Sequence, residues 1–132
     1  MKKILVALAL VFSTPVFATQ SVVDKRTQTM YVDSPEGMFT WKVSTAKRGY
    51  HTPSGTFSPY SLQRMHYSKK YDNAPMPHSI FFNGGYAIHG TPHVGNLGRP
   101  ASHGCVRLSP ANAKRLYEIV GRDEGYTTIH IQ

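Results

Sequence analysis

Residues 88–108 read Ile88-His89-Gly90-Thr91-Pro92-His93-Val94-Gly95-Asn96-Leu97-Gly98-Arg99-Pro100-Ala101-Ser102-His103-Gly104-Cys105-Val106-Arg107-Leu108. They hold the only cysteine of the 132-residue chain and three of its seven histidines. Thiol acyl chemistry needs a route to thiolate, a base that takes and returns the proton, and N–H donors for the oxyanion of a tetrahedral intermediate. This stretch supplies all three. His89 ends a short apolar run and can face Cys105 across the glycine-rich loop between them. Gly104 lets the backbone bend so that amides beside Cys105 converge on a substrate oxygen. The competing reading is an inert, buried cysteine. A catalytic thiol is expected to alkylate faster than an ordinary cysteine at mildly acidic pH, and an inert one is not.

Downstream, Ser109 suits an N-cap and Pro110 the first helical position, while Ala113, Leu116, Tyr117 and Val120 recur at helical spacing and Gly121 suits the C-terminal cap. Tyr126 to Ile131 alternates Thr127, Ile129 and Ile131 against Tyr126, Thr128 and His130, as a last strand would. Upstream, His78 to Asn83 and Tyr86 to His89 read as strands joined at Gly84-Gly85. Gln63 to Pro77 is polar and without period, which predicts a long loop, either a lid or an ordered surface excursion. Thr56 to Leu62 reads as a strand interrupted by Pro59 and therefore at an edge. Thr45 to Gly55 reads as a loop. Gln28 to Asp33 and Met38 to Ser44 form a hairpin about Ser34-Pro35-Glu36-Gly37, with Met30 and Val32 on one face and Phe39, Trp41 and Val43 alternating with polar residues. The pattern predicts a mainly β fold with one short packed α-helix.

The N-terminus combines Met1-Lys2-Lys3, an apolar run from Ile4 to Phe12, and small residues at Val16-Phe17-Ala18. That layout predicts a signal peptide over residues 1–18 and a mature single domain over 19–132; the alternative is an uncleaved N-terminal anchor. Either one puts the domain outside the cytoplasm. Loss of residues 1–18 removes two of the 15 Lys and Arg and none of the seven Asp and Glu, so the mature chain stays basic. Outside the inner membrane a basic surface meets anionic lipid or an anionic wall polymer and not nucleic acid, or it serves solubility alone. A single cysteine excludes an intrachain disulfide, so an exported thiol is either deeply buried or chemically employed.

Ile88-His89-Gly90-Thr91 followed by Ser102-His103-Gly104-Cys105-Val106-Arg107-Leu108 resembles the signature of the L,D-transpeptidase catalytic domain, the YkuD type. The resemblance extends upstream through Val43-Ser44-Thr45 and Thr52-Pro53-Ser54-Gly55-Thr56-Phe57, and so covers nearly the whole of residues 19–132. It implies a β-sandwich with Cys105 as nucleophile and His89 as general base. It also implies that the Gly90 carbonyl holds the other ring nitrogen of His89, and that amides around His103, Gly104 and Cys105 form the oxyanion hole. The implied reaction is acyl transfer at the L-centre of a diamino acid in a peptidoglycan tetrapeptide stem. D-alanine is released, and the thioester passes to a stem amine, to an acceptor protein at the wall, or to water as in an L,D-carboxypeptidase. No cofactor is implied.

Arg107 stands where the family pattern carries Arg or Asn; it either orients its loop, pairs with a stem carboxylate, or is a surface arginine. His103 is either an alternative base or a loop-ordering ring, with ordering favoured. Ser102, Tyr86, His93 and Arg99 are candidates for the substrate groove, with scaffold or rim roles as the alternative. Two readings from other classes are a zinc site of His89, His93, His103 and Cys105, whose spacing fits poorly, and a catalytically silent wall-binding protein. The intact Cys105 and His89 argue against the second.

Overall fold

The computed structural model describes residues 18–123 and 125–132. All of the expected signal peptide except Ala18 therefore lies outside the described residues. Two sheets form the body. The first runs β3 (Gly37–Lys42), β2 (Thr29–Ser34), β1 (Gln20–Asp24), β9 (Thr128–Ile131), β4 (Gly55–Phe57) in spatial order; the second runs β5 (Ser61–Ser68), β6 (Ala74–Asn83), β7 (Tyr86–Gly90), β8 (Val106–Leu108). Most neighbours are antiparallel, but β1 with β9 and β7 with β8 are parallel.

One core joins the sheets. Val23, Met30, Val32, Ile129 and Ile131 of the first sheet meet Ile80, Phe82, Ile88, Val106 and Leu108 of the second, all nearly solvent-free. The helix α1 (Pro110–Arg122) packs on β6, β7 and β8 through Ala113, Leu116 and Val120. Its start follows from sequence chemistry: Pro110 occupies the first turn, and Ser109 Oγ accepts the Asn112 N–H at 3.2 Å, satisfying an amide the helix leaves open. Its end differs from the expected Gly121 cap. The helix continues to Arg122, and the Asp123 carboxylate accepts from the Thr19 amide (2.8 Å) and the Thr127 hydroxyl (2.9 Å), tying the helix end to the neighbouring backbone.

The second sheet uses both faces, because successive strand side chains point opposite ways. Ile88, Val106 and Leu108 enter the main core. Ala87 lies on the other face, where it packs with Met76, Phe81 and Cys105. His89 and Arg107, in register with one another, share that second face by the same alternation.

The segment expected as a loop, Gln63 to Pro77, is instead most of a long hairpin. Leu62↔Ile80 through Ser68↔Ala74 form an antiparallel ladder that lapses at Arg64 and His78, where His78 takes φ 52°. The lapse, two prolines in β6 and the largely solvated edge strand β5 remove the period that would have announced the strands. The expected strand Thr56 to Leu62 is also divided. Its first part is β4 in the first sheet and its last residues begin β5 in the second, with Pro59 at the crossing. The hairpins at Pro35-Glu36 and Gly84-Gly85 occur where their turn residues place them.

Leu116 is 1% exposed at the centre of the helix's packed face. Leu116→Ala is expected to cost about 2–5 kcal/mol, whereas Lys114→Ala, on the solvated face, is expected to stay within about 0.5 kcal/mol. Urea unfolding with an unchanged m-value checks both.

Candidate active site

Parallel pairing of β7 with β8 brings the chemistry together. Ile88 pairs Val106 and His89 pairs Arg107, so Cys105, one residue before β8, comes alongside Ala87 at the mouth of the two strands. Parallel neighbours need a long crossover, usually a helix. Here residues 91–105 make it as a loop with a single 3₁₀ turn, Val94–Asn96.

The segment Val43–Lys47 serves as a rail for that loop. Val43 O accepts from Gly98 N (2.9 Å), Thr45 O from Ala101 N (3.0 Å) and Ser102 N (2.9 Å), and Ser44 exchanges backbone bonds with Arg107. The rail is itself held by buried Gln28, whose side-chain amide donates to Thr45 Oγ1 (2.7 Å) and whose Oε1 accepts the Thr45 N–H (2.8 Å). Thr52 completes the support: its hydroxyl donates to Gly104 O (2.8 Å) and accepts the Ala46 N–H (2.9 Å). Gln28, Thr45 and Thr52 were not singled out from the sequence as site residues. The quoted Val-Ser-Thr and Thr-Pro segments were the available signal for the latter two.

Around the thiol the backbone is tightly determined. Gly104 has φ 139°, and a Cβ there would lie 2.6 Å from the Tyr86 ring and 2.8 Å from His51 O, so only glycine fits. Ser102 is fully buried; its hydroxyl donates to Cys105 O (2.6 Å) and accepts the Gly104 N–H (3.0 Å). Its bonds are spent on folding the turn. They also occupy the Gly104 amide, one of the three expected oxyanion donors. The amides of His103 and Cys105 donate to no protein acceptor among the described residues.

His89 is 6% exposed, and its Nδ1 lies 2.7 Å from Gly90 O. A carbonyl only accepts, so Nδ1 carries the proton and Nε2 is left as the base in the neutral ring. Burial pushes the His89 pKa down to about 4; the Gly90 carbonyl works against this, and the Arg107 and His66 charges add to it. Burial pushes the Cys105 thiol up, partly offset by the Ala87 amide and the Arg107 charge. Both shifts favour the uncharged forms of the two groups.

Both groups line a cavity of about 860 Å³, to which Tyr86, His93, His103 and Arg107 contribute. The tip of the β5–β6 hairpin reaches over it. The Tyr71 ring stacks on His103 with centroids 4.2 Å apart and planes 16° apart, and Tyr50 tilts onto the same imidazole at 4.8 Å. His103 thus packs against two aromatic rings. Arg99, expected at the groove, does not line the cavity; it lies exposed, with its guanidinium on Gly95 O and Asn96 Oδ1, both at 3.3 Å. For the zinc alternative, no group of three or more His, Cys, Asp or Glu side chains able to hold a metal occurs among the described residues.

The family model of the L,D-transpeptidase catalytic domain, YkuD, matches residues 18–131. A search of the curated proteins gave no match. Among solved structures the chain is similar to an L,D-transpeptidase from Mycobacterium smegmatis (TM-score 0.78, 24% identity, covering 88% of this chain and 59% of that one). It is also similar to an L,D-transpeptidase from Stackebrandtia nassauensis (TM-score 0.75, 29% identity, 87% and 55%). A third is an L,D-transpeptidase from Mycobacterium tuberculosis H37Rv (TM-score 0.77, 21% identity, 88% and 58%). The chain therefore spans less than two thirds of the length of these structures. With a family match over nearly all the described residues and a Cys–His pair set on one sheet face, the chain belongs to the L,D-transpeptidase catalytic domain family.

Proposed function

We propose that this protein is an exported cysteine acyltransferase acting on peptidoglycan tetrapeptide stems. The observation that carries the mechanism is His89, fixed by Gly90 O in the tautomer with a free Nε2, in the same cavity and on the same sheet face as Cys105. His89 Nε2 takes the thiol proton as Cys105 Sγ bonds to the carbonyl carbon of the diamino acid's L-centre. The oxyanion falls to the unengaged amides of His103 and Cys105. Collapse breaks the C–N bond, and the departing D-alanine amine takes the proton from His89. The thioester is then attacked by an acceptor amine, whose proton passes through His89 back to sulfur. A stem amine gives a 3→3 cross-link and a protein amine an anchored protein. The Lys2-Lys3 and apolar N-terminal run support export through a signal peptide over residues 1–18, leaving a catalytic domain over 19–132 in the periplasm or another extracytoplasmic space.

Mass spectrometry of products from purified disaccharide-tetrapeptide tests the assignment. Dimers lacking one D-alanine, absent with Cys105→Ala, are expected. Tripeptide monomers alone would assign the water-using carboxypeptidase, and no change with reduced, folded protein would remove the stem-peptide substrate.

The ionisations predict the pH profile. His89 works as a base only when neutral, and its pKa is depressed, so activity is retained as pH falls through the usual histidine range and is lost below it. kcat/KM should show its acidic limb at about 4. A limb near the ordinary histidine value, about 6.5, would place His89 in a wetter setting than the one described. Gly104→Ala forces a Cβ into Tyr86 and His51, and is expected to lower kcat by about 10²-fold through displacement of the oxyanion amides. Steady-state rates with unchanged far-ultraviolet circular dichroism check it.

A further inference from the structure

Arg107 follows Cys105 by two residues, pairs with His89 across the β7–β8 ladder and lines the same cavity. Its guanidinium is partly buried and makes one protein hydrogen bond, from Nη1 to Ala101 O at 3.3 Å. Among the described residues the ion pairs are those of Glu36 with Arg115 and Arg122, and the acid lining the cavity is Asp72, exposed at the hairpin tip. Arg107 is thus a partly desolvated cation beside the nucleophile with no carboxylate to balance it. Its planar donor fork matches a carboxylate in two-point contact.

On the acyl-transfer reading above, the donor carries an anion at that place. The leaving residue's α-carboxylate is three covalent bonds from the scissile carbonyl carbon, roughly 3–4 Å away. We propose that Arg107 anchors the free C-terminal carboxylate of the departing D-amino acid, so that the cavity selects stems ending one residue beyond the scissile bond. A longer stem or an amidated terminus replaces the carboxylate with a neutral amide, leaving the guanidinium unpaired. The same contact links binding to chemistry, because the anion offsets the positive charge that depresses the basicity of His89.

The test compares two donors, a disaccharide-tetrapeptide with a free terminal carboxylate and the same stem ending in D-alaninamide. The readout is kcat/KM for release of the terminal amine by the full protein and by Arg107→Gln. The wild type is expected to favour the free acid by about 10–100-fold, the usual worth of a hydrogen bond to a charged group. Arg107→Gln is expected to lose that factor, bringing the ratio of the two donors near one. Arg107→Lys, with charge but no fork, is expected to keep part of it. Equal rates on the two donors in the wild type would overturn the assignment without any variant. A ratio that survives in Arg107→Gln while both rates fall together would also overturn it, leaving Arg107 as a charge acting on Cys105 and His89. Release of neither amine by the wild type would remove the acyl-transfer reading itself.

Discussion

The parallel pairing of β7 with β8 is the constraint on which the rest depends. Three register pairs, Ile88↔Val106, His89↔Arg107 and Gly90↔Leu108, put three apolar residues into the main core and the catalytic candidates on the opposite face. A slip of one residue would reverse both sets, burying Arg107 and exposing Val106. The core's demand for Ile88, Val106 and Leu108 therefore fixes the position of Cys105 beside Ala87. Such a pairing needs a crossover, and this one is a loop without a helix to stiffen it. The rail of Val43–Lys47, braced by Gln28 and Thr52, supplies the backbone partners that a helix would have made internally.

The electrostatics that follow from this placement differ from those of a pre-ionised thiolate pair. Burial raises the Cys105 thiol above its usual value near 9 and lowers His89 to about 4. A full proton transfer before attack crosses that gap, whereas transfer during attack lets the forming C–S bond and the oxyanion donors compensate for the charge separation. A buried thiol that stays protonated also resists oxidation better than a thiolate does.

The sequence made the chemistry more legible than the sheet that positions it. Cys105, His89 and the helix stood out because local rules govern them: a single thiol, a residue at a strand end, and a Ser-Pro start with helical periodicity. The Met30/Val32 and Ile129/Ile131 alternations were equally local. The β5–β6 arms were hidden because β5 is largely solvated, β6 carries two prolines, and the ladder lapses at His78, so no hydrophobic period survives. Strands β1 and β8 were missed for another reason. They are short, at five and three residues, and each takes one parallel partner distant in sequence, β9 for β1 and β7 for β8. Gln28 and Thr52 show the same limit at the site. Their roles arise from bonds to Thr45 and Gly104, 17 and 52 residues away, which no local spacing encodes.

His103 connects these threads. Its backbone lies in the oxyanion turn, while its ring is gripped by Tyr71 from the hairpin tip and by Tyr50 from the segment after the rail. Lys47 sits over the Tyr50 ring and Lys70 over the Tyr71 ring, each nitrogen 5.5 Å from the centroid. Burial, Lys47 and Arg107 all lower the pKa of the imidazole. These directions favour the neutral ring, which suits it to packing on the two tyrosines, while His89 holds the buried position with a defined tautomer. Two histidines near one thiol thus sit in different surroundings, one buried with a fixed tautomer and one packed on aromatic rings, a difference that the Ser-His-Gly-Cys sequence alone leaves open.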